Sequence, residues 1–493
     1  MKTKPIVWSI AGADCSGGAG IAADIKTAQS LKVELCHLIT ANTVQNSKSL
    51  VSVNPTDVEI LKQQVATLIT DKQPDIIKIG LIASSEQLTW LCTLLPDIKN
   101  QYTKVNVVFD PVGSASVGGK FSNITANDLI KILPLVDVIT PNIIEAQQLT
   151  GINTSDTDQL AQAICALGVK YAIVKGGHQI GKSAQDVAFD STLNLFYRVT
   201  SARIDSSFSH GGGCSFSSAI SAFLAHGYLL RDALAQAKAF MQQGFAKNGD
   251  FNEYYGAFEQ THWPQDKQFF PAIDADIHRK YPTLSAFADI GTTRGEQKLG
   301  LYPVVDSIEW LETLMPLGIE IIQLRVKNKS QAELDNLIEK AVALAKNYHT
   351  RLFINDYWQL AIKHGAYGVH IGQEDLLDAD LHAIQQAGLR LGISTHGCYE
   401  FLLAQQLKPS YLAMGAIFPT KTKDMTGQIQ GIDNLKQVLN LSEDIPVVAI
   451  GGINEERAPD VWATGTDSIA VVTAITEASN PSEAVKRFQR LLF

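Results

Sequence analysis

Two α/β domains in tandem are predicted by this sequence: a largely parallel sheet wrapped by helices, followed by a (β/α)8 barrel. Three observations carry the prediction. The 493 residues exceed what one ordinary hydrophobic core organises, so two or more domains are expected. Short β-rich runs alternate with helix-length stretches up to about residue 250 and again after about 298, the rhythm of parallel strands joined by crossover helices. Between them, the segment holding Tyr254, Tyr255, Trp263, Phe269, Phe270, Pro271 and Pro282 has no clear period. The expected boundaries are therefore a first domain over 1–255, a junction over 256–297 and a barrel over 298–493. Being rich in aromatics instead of Gly and Ser, the junction is expected to pack against a domain.

Composition narrows the class of function. Hydrophobic residues make up 45% of the chain and charged residues 18%, proportions of a globular protein and not of a disordered or fibrous one. A net charge of -9 argues against bulk binding to nucleic acid or an anionic membrane, so a phosphate ligand must be met by local donors. The six cysteines (Cys15, Cys36, Cys92, Cys165, Cys214 and Cys398) form no C-x-x-C pair, which suits reduced thiols in a cytoplasmic protein better than disulfides or a zinc site. The opening MKTKPIVWSIAGAD reads as a first strand entering a glycine loop, not as a signal peptide. No run approaches the roughly 18 apolar residues of a membrane helix.

In the first domain, strands are read at IVWSIAG, LCHLITANT, IIKIG, NVVFDPV, DVIT and YAIVKGG. The loop Ala11-Gly-Ala-Asp-Cys-Ser-Gly-Gly-Ala-Gly20 leads into the helical stretch IAADIKTAQSL. Backbone there can approach a ligand without Cβ interference, although a plain strand-to-helix turn would read the same way. Asn142-Ile-Ile-Glu145 sets an amide and a carboxylate one helical turn apart, suited to a hydrated magnesium ion beside phosphates and equally to a helix start. Lys175-Gly-Gly-His178 closes YAIVKGG, where a lysine could lie along a phosphate chain or simply mark a strand end. His210-Gly-Gly-Gly-Cys-Ser-Phe-Ser-Ser218 runs straight into the apolar AISAFLAHGYLL. That places the backbone N–H groups around Gly211 and Gly213 at a helix N-terminus, an anion hole by construction.

In order and spacing, AGADCSGGAGIAADIKT, ITANTVQNS, KIGLI, FDPV, ITPNIIEA, VKGGH and HGGGCSFSSAISA make this half similar to the hydroxymethylpyrimidine/phosphomethylpyrimidine kinases of the ribokinase-like group. The resemblance implies a ribokinase-like α/β domain with ATP as phosphoryl donor and Mg2+ as cofactor. It implies that Gln45 reads the pyrimidine edge, that Asp24 lines the substrate pocket and that Gly12 offers backbone contacts. It puts Cys214 where sugar kinases of the same fold use an aspartate base, at a helix head whose dipole would favour the thiolate. Asn142, Glu145, Asp110 and Lys175 would organise magnesium and the ATP phosphates, leaving catalysis chiefly to positioning and electrostatics. Two departures stand out: the family's G-T-G-C reads Gly211-Gly-Gly-Cys214, removing a hydroxyl beside the anion hole, and its D-P-V-M reads Asp110-Pro-Val-Gly113.

In the second domain, eight strands are read at LYPVV, EIIQLRV, RLFIND, GVHIG, LGIST, YLAMG, PVVAIGG and SIAVVTA, and the chemistry of such a barrel belongs at their C-terminal ends. Alternation sends Gln323, Arg325 and Lys327 to one face. An Arg and a Lys together can neutralise a diphosphate, or they are rim charges. Asp356 and Asp375 end neighbouring strands and could hold magnesium carried with a diphosphate, or cap helices. Phe418-Pro-Thr-Lys-Thr-Lys423 is a hydroxyl- and lysine-rich loop, and a phosphate commonly sits over the last two loops of such a barrel.

With LYPVVDS, IIQLRVK, FINDYWQLA, GVHIGQEDL, GISTH, GAIFPTKTK, VVAIGGI and AVVTAI in order, residues 301–493 closely resemble the thiamine phosphate synthases, (β/α)8 TIM-barrel enzymes. The resemblance implies that hydroxymethylpyrimidine diphosphate loses pyrophosphate and that the nitrogen of hydroxyethylthiazole phosphate captures the pyrimidine. Arg325, Lys327, Asp356, Asp375 and Lys423 would serve the departing group, with Gln323 and Asn355 lining the substrate and Ser394 by the reacting centre. Thr420, Thr422, Gly452 and Thr473 would hold the thiazole phosphate. The rival readings are a pyridoxal-type kinase or an inactive kinase-like module, and a thiazole tautomerase-like barrel. The partners expected are these small molecules and ATP, without nucleic acid or membrane, in a homo-oligomer.

Overall fold

In the computed structural model of the chain, residues 4–46, 49–112, 122–177, 181–204, 206, 208–247, 256–291, 298–420, 429–442 and 444–492 are described. The chain divides into two compact units, Met1–Asp274 and Ala275–Phe493. The dividing point falls inside the aperiodic segment, and each side of it packs on its own unit. Trp263 stands edge-on to Phe223 with ring centroids 5.1 Å apart. Tyr281 donates its hydroxyl to the Ala379 carbonyl at 2.8 Å and accepts from the Leu381 N–H at 3.2 Å. Tyr254 and Tyr255 lie outside the described residues.

The first unit holds strands β1 (Ile6–Asp14), β2 (Glu34–Gln45), β3 (Leu50–Pro55), β4 (Ile76–Ile79), β5 (Asn106–Phe109), β6 (Val138–Ile139), β7 (Tyr171–Val174), β8 (Ser183–Asp190), β9 (Leu195–Ala202) and β10 (Ala272–Ile273). They form one sheet in the order β10-β9-β8-β7-β6-β5-β4-β1-β2-β3. The block from β2 to β7 is parallel, and its central strands β4 to β7 are short and mostly apolar, such as the fully buried Ile76–Ile79 with Lys78 among its isoleucines, as covering helices on both faces require. Both edges are antiparallel: β2 with β3, and the ladder β7, β8, β9 and β10. Those edge strands went unread in the sequence, because SAQDVAFD and LFYRVTSA mix polar residues into a pattern without a continuous apolar run. Since β1, β4, β5, β6 and β7 run the same way, the loops that follow them open on one edge of the sheet, where α/β folds bind ligands.

The second unit is a closed barrel of eight parallel strands: β11 (Gly300–Val305), β12 (Ile321–Leu324), β13 (Arg351–Asn355), β14 (Gly368–Ile371), β15 (Arg390–Thr395), β16 (Tyr411–Met414), β17 (Val447–Ile450) and β18 (Ser468–Val471). Its interior carries a buried cluster that includes Tyr302, Phe353, Tyr411 and, from the segment ahead of β11, Ile290. Among the described residues no helix is long and apolar enough to cross a membrane.

Candidate functional sites

A cavity of about 680 Å3 opens at the carboxyl edge of the first sheet. Gly12, Gln45, Asp110, Asn142, Glu145, Lys175, Gly211, Gly213 and Cys214 all line it. The helix Gly212–Ala225 begins after Gly211, whose φ of 80° is left-handed. A Cβ there would fall 1.9 Å from the Gly18 carbonyl oxygen, so the two glycine-rich loops meet backbone to backbone. In the first turn, a Cβ on Gly213 would lie 3.6 Å from Lys175 Nζ and 3.8 Å from Asp110 Oδ2. Lys175 donates to Asp110 Oδ1 at 3.0 Å, and Thr140 donates to the same oxygen at 3.1 Å. A helix head, a cation and a carboxylate thus meet around one point.

Asn142 and Glu145 form a reciprocal capping box: the Glu145 N–H donates to Asn142 Oδ1 at 2.9 Å, and the Asn142 N–H donates to Glu145 Oε2 at 2.7 Å. They start a helix and also face the cavity. Burial pushes the Glu145 acid up to about 7, an effect that Lys175 opposes and Asp110 reinforces.

Two expectations are corrected. Asp24 does not line the cavity: it is wholly buried, bonded to Lys78 Nζ at 2.9 Å and to the hydroxyls of Ser9 and Ser218 at 2.5 and 2.6 Å. A carboxylate so enclosed needs those partners and has no oxygen left to offer a substrate. Nor is Cys214 poised as a thiolate. Burial pushes its thiol up to about 11, and the carboxylates of Asp110 and Asp24 add to the rise, although Lys78 and a backbone bond from Gly20 pull it down.

The first glycine loop is also organised differently from a free nest. Asp14 fills it, accepting from the N–H groups of Ser16, Gly18 and Ala19 at 2.8, 3.2 and 2.9 Å. Burial alone would raise this acid, but hydrogen bonds from His210, Gln45 and Ser16 hold it well below the usual carboxylate range. His210 Nε2 lies 2.8 Å from Asp14 Oδ2 and ties one loop to the other. A second pair on the cavity wall was missed: Lys238 donates to Asp186 Oδ2 at 2.9 Å, and the Gly176 N–H donates to Oδ1 at 2.9 Å. The sequence offered little signal for it, because β8 and the helix Leu230–Ala246 each carry other charged residues besides Asp186 and Lys238.

At the barrel mouth, β12 ends at Leu324, so Gln323 points from the strand while Arg325 and Lys327 lie in the loop beyond it. Asn355 ends β13, and its amide donates to the carboxylate of Asp356, a residue with φ of 64°. Burial and the neighbouring Asp375 carboxylate hold the Asp356 acid above its ordinary range, against the pull of Arg325, Asn355 and Lys327. Two carboxylates and two cations therefore converge across the loops after β12, β13 and β14. Ser394, in β15, is 2.8 Å from His370 Nε2, and its carbonyl accepts from the Gln373 amide at 2.7 Å. The loop after β16 meets the one after β17 through the Phe418 N–H and the Gly451 carbonyl, 3.0 Å apart, which brings the Thr420 segment toward Gly452. Arg457, unread in the sequence, donates to the Gly452 carbonyl at 2.6 Å and stacks on Phe418 at 4.7 Å. Thr473 heads the short helix Thr473–Thr476 just past β18. Thr422 and Lys423 lie outside the described residues, as does Gly113.

Comparison with known proteins matches the two parts of the chain to two families. Residues 14–259 match the model of phosphomethylpyrimidine kinase, and residues 301–475 that of thiamine monophosphate synthase. The thiamine-phosphate synthase of Yersinia pseudotuberculosis is 56% identical over 197 residues, which cover 40% of this chain and 92% of that protein. The solved phosphomethylpyrimidine kinase of Clostridium difficile is 33% identical with a TM-score of 0.42, covering 49% of this chain and 99% of its own. An ADP complex of Bacillus subtilis pyridoxal kinase is 31% identical with a TM-score of 0.46, covering 52% of this chain and 98% of that one. The chain belongs to the thiamine-phosphate synthase family through its barrel and carries ahead of it a phosphomethylpyrimidine kinase domain, two transferases of thiamine biosynthesis in one polypeptide.

Proposed function

We propose that the first unit phosphorylates 4-amino-5-hydroxymethyl-2-methylpyrimidine and then its phosphate from ATP. The barrel then joins the resulting diphosphate to hydroxyethylthiazole phosphate, giving thiamine phosphate and pyrophosphate. The observation that carries the kinase reading is the meeting of Lys175 and Asp110 at the first turn after Gly211. There the helix N–H groups receive the transferring phosphoryl group, Lys175 turns from Asp110 toward the phosphate chain, and Gln45 holds the pyrimidine edge. With its thiol pushed up to about 11, Cys214 is protonated at neutral pH and serves as a hydrogen-bond donor, leaving rate enhancement to alignment and charge.

In the barrel, the diphosphate gains negative charge as its C–O bond breaks, and cations fixed in advance stabilise that state more than the bound substrate. Arg325, Lys327 and Lys423 supply the cations, Ser394 and Asn355 orient the pyrimidine, and Thr420, Thr422, Gly452 and Thr473 hold the thiazole phosphate. The repelling Asp356 and Asp375 fit a divalent cation that would be carried in with the diphosphate. Asp356 and Asp375, and in the kinase Glu145, would hold magnesium, which would supply charge neutralisation to the phosphates.

The test is to incubate the purified chain with the hydroxymethylpyrimidine, hydroxyethylthiazole phosphate, ATP and Mg2+, and to follow all products by mass spectrometry. Thiamine phosphate and pyrophosphate are expected together. An unmodified pyrimidine would remove the kinase reading, and pyrimidine diphosphate accumulating beside untouched thiazole phosphate would remove the synthase reading.

A further inference from the structure

Behind Ser394 a line of polar groups runs through the barrel interior, in a layer otherwise filled by apolar side chains. His370 Nε2 lies 2.8 Å from Ser394 Oγ, and His370 Nδ1 lies 2.7 Å from the Tyr411 hydroxyl. The Tyr411 hydroxyl is 2.8 Å from that of Tyr302, and the Gln323 side chain lies beside both phenols. Tyr302, Tyr411, Gln323 and His370 are all buried.

Packing holds these groups in place. The Tyr411 ring stacks on the His370 imidazole at 5.6 Å and stands edge-on to Phe353 at 5.0 Å and to Tyr302 at 5.9 Å. Room for it is made by Gly392 in β15, where a Cβ would fall 2.2 Å from Tyr411 Cζ and 2.5 Å from its hydroxyl oxygen. A glycine inside a strand at such a close approach costs backbone entropy and leaves no side chain to pack, so it marks a site where the neighbour matters.

Hydrogens can run along this line in two consistent orders. In one of them the Tyr302 hydroxyl donates to the Tyr411 oxygen and the Tyr411 hydrogen goes to His370 Nδ1. His370 then carries its proton on Nε2 and donates to Ser394 Oγ, which turns the serine's own hydrogen toward the barrel mouth.

We propose that Tyr411, backed by Tyr302 and given room by Gly392, is a positioning residue for the condensation: it fixes the Nε2–H form of His370 and through it the orientation of the Ser394 hydroxyl. This rests on the barrel's reading as a thiamine phosphate synthase with Ser394 at the reacting centre. Neither tyrosine touches substrate; both act through the imidazole.

The experiment uses the full chain and Tyr411→Phe, which keeps the ring and removes only the hydroxyl. The wild-type chain is assayed first, and if it forms no thiamine phosphate from pyrimidine diphosphate and hydroxyethylthiazole phosphate, the functional reading itself fails. Given wild-type activity, Tyr411→Phe is expected to lower kcat about tenfold while KM for both substrates stays within about twofold, the size of one lost buried hydrogen bond. Pyrimidine phosphorylation by the same sample should be unchanged. In 15N-histidine spectra the wild-type His370 should show a protonated Nε2 and an unprotonated Nδ1, and the variant should lose that pattern. Tyr302→Phe should show the same changes in smaller degree. Wild-type kcat, or an unaltered His370 spectrum, in a folded Tyr411→Phe chain would overturn the proposal. If Tyr411→Phe does not fold, Tyr302→Phe decides by the same two readouts.

Discussion

In the kinase cavity, Lys175 meets Asp110 at 3.0 Å and Lys238 meets Asp186 at 2.9 Å, while Lys78 holds the buried Asp24 at 2.9 Å. At the barrel mouth, Asp356 instead lies beside another carboxylate, Asp375, and its acid is held up by burial and by that neighbour. Both sites are built for phosphates, yet they prepare for charge differently. Paired ions can be enclosed without a ligand, and an incoming phosphate competes for a lysine that already has a partner. Facing carboxylates repel until a cation arrives with the substrate. The kinase site thus pairs these acids with its own lysines, whereas at the barrel mouth Arg325 and Lys327 only partly offset two carboxylates, which leaves a place for a cation that comes with the substrate.

The sharpest way to break that contrast is Asp375→Asn. If the barrel depends on a cation drawn in by two carboxylates, condensation should fall about 100- to 1,000-fold, the scale of losing one element of a preorganised electrostatic site. Pyrimidine phosphorylation should not change. Steady-state rates for both reactions on one sample check this, and a condensation rate near wild type would remove the distinction.

A structural test comes next. Gly211→Ala would force a side chain into a left-handed backbone with its Cβ 1.9 Å from the Gly18 carbonyl oxygen. A cost of about 1–3 kcal/mol in the first unit is expected from the backbone strain alone, read as a lowered Tm of the kinase transition with condensation retained. Gly212→Thr should be tolerated, because its Cβ would meet Met241 Cε and Phe245 Cζ at ordinary distances of 3.6 and 3.7 Å.

The pH dependence sharpens the role of Glu145. Its acid is raised to about 7, so the carboxylate is present above that pH and lost as pH falls through it. Phosphorylation should therefore fall about tenfold per unit below pH 7, as one titrating group dictates, and Glu145→Gln should flatten that limb. The smallest effect concerns Cys214: with its thiol pushed up to about 11, iodoacetamide at neutral pH should label it at least about tenfold more slowly than the exposed Cys15. Peptide mass spectrometry over time gives both rates.

Much of this was legible because glycine-rich loops and charged strand ends break the hydrophobic rhythm where a site must be. The eight barrel strands, the helix head at Gly211 and the charged residues at the mouth could be read from short patterns of that kind. Asp24 was misplaced because a carboxylate in the first helix looks the same in sequence whether it faces a cavity or three buried donors. Tyr302 and Tyr411 were not singled out, since their hydroxyl partners sit on strands far away in sequence. The Lys238–Asp186 pair was missed for the same reason, and Arg457 because its contact with Phe418 joins two different loops.

What the sequence determined by itself was periodicity and local chemistry: two α/β units, their strand ends and the residue types gathered there. Local patterns suffice for this, because strand alternation, helix caps and glycine turns involve neighbours within a few residues. Only the tertiary structure decided which charges are paired, which acids are held up and which way Asp24 faces. Those properties depend on desolvation and on partners such as Lys78, 54 residues from Asp24, and Tyr411, 41 residues from His370, which the fold alone brings within hydrogen-bond distance.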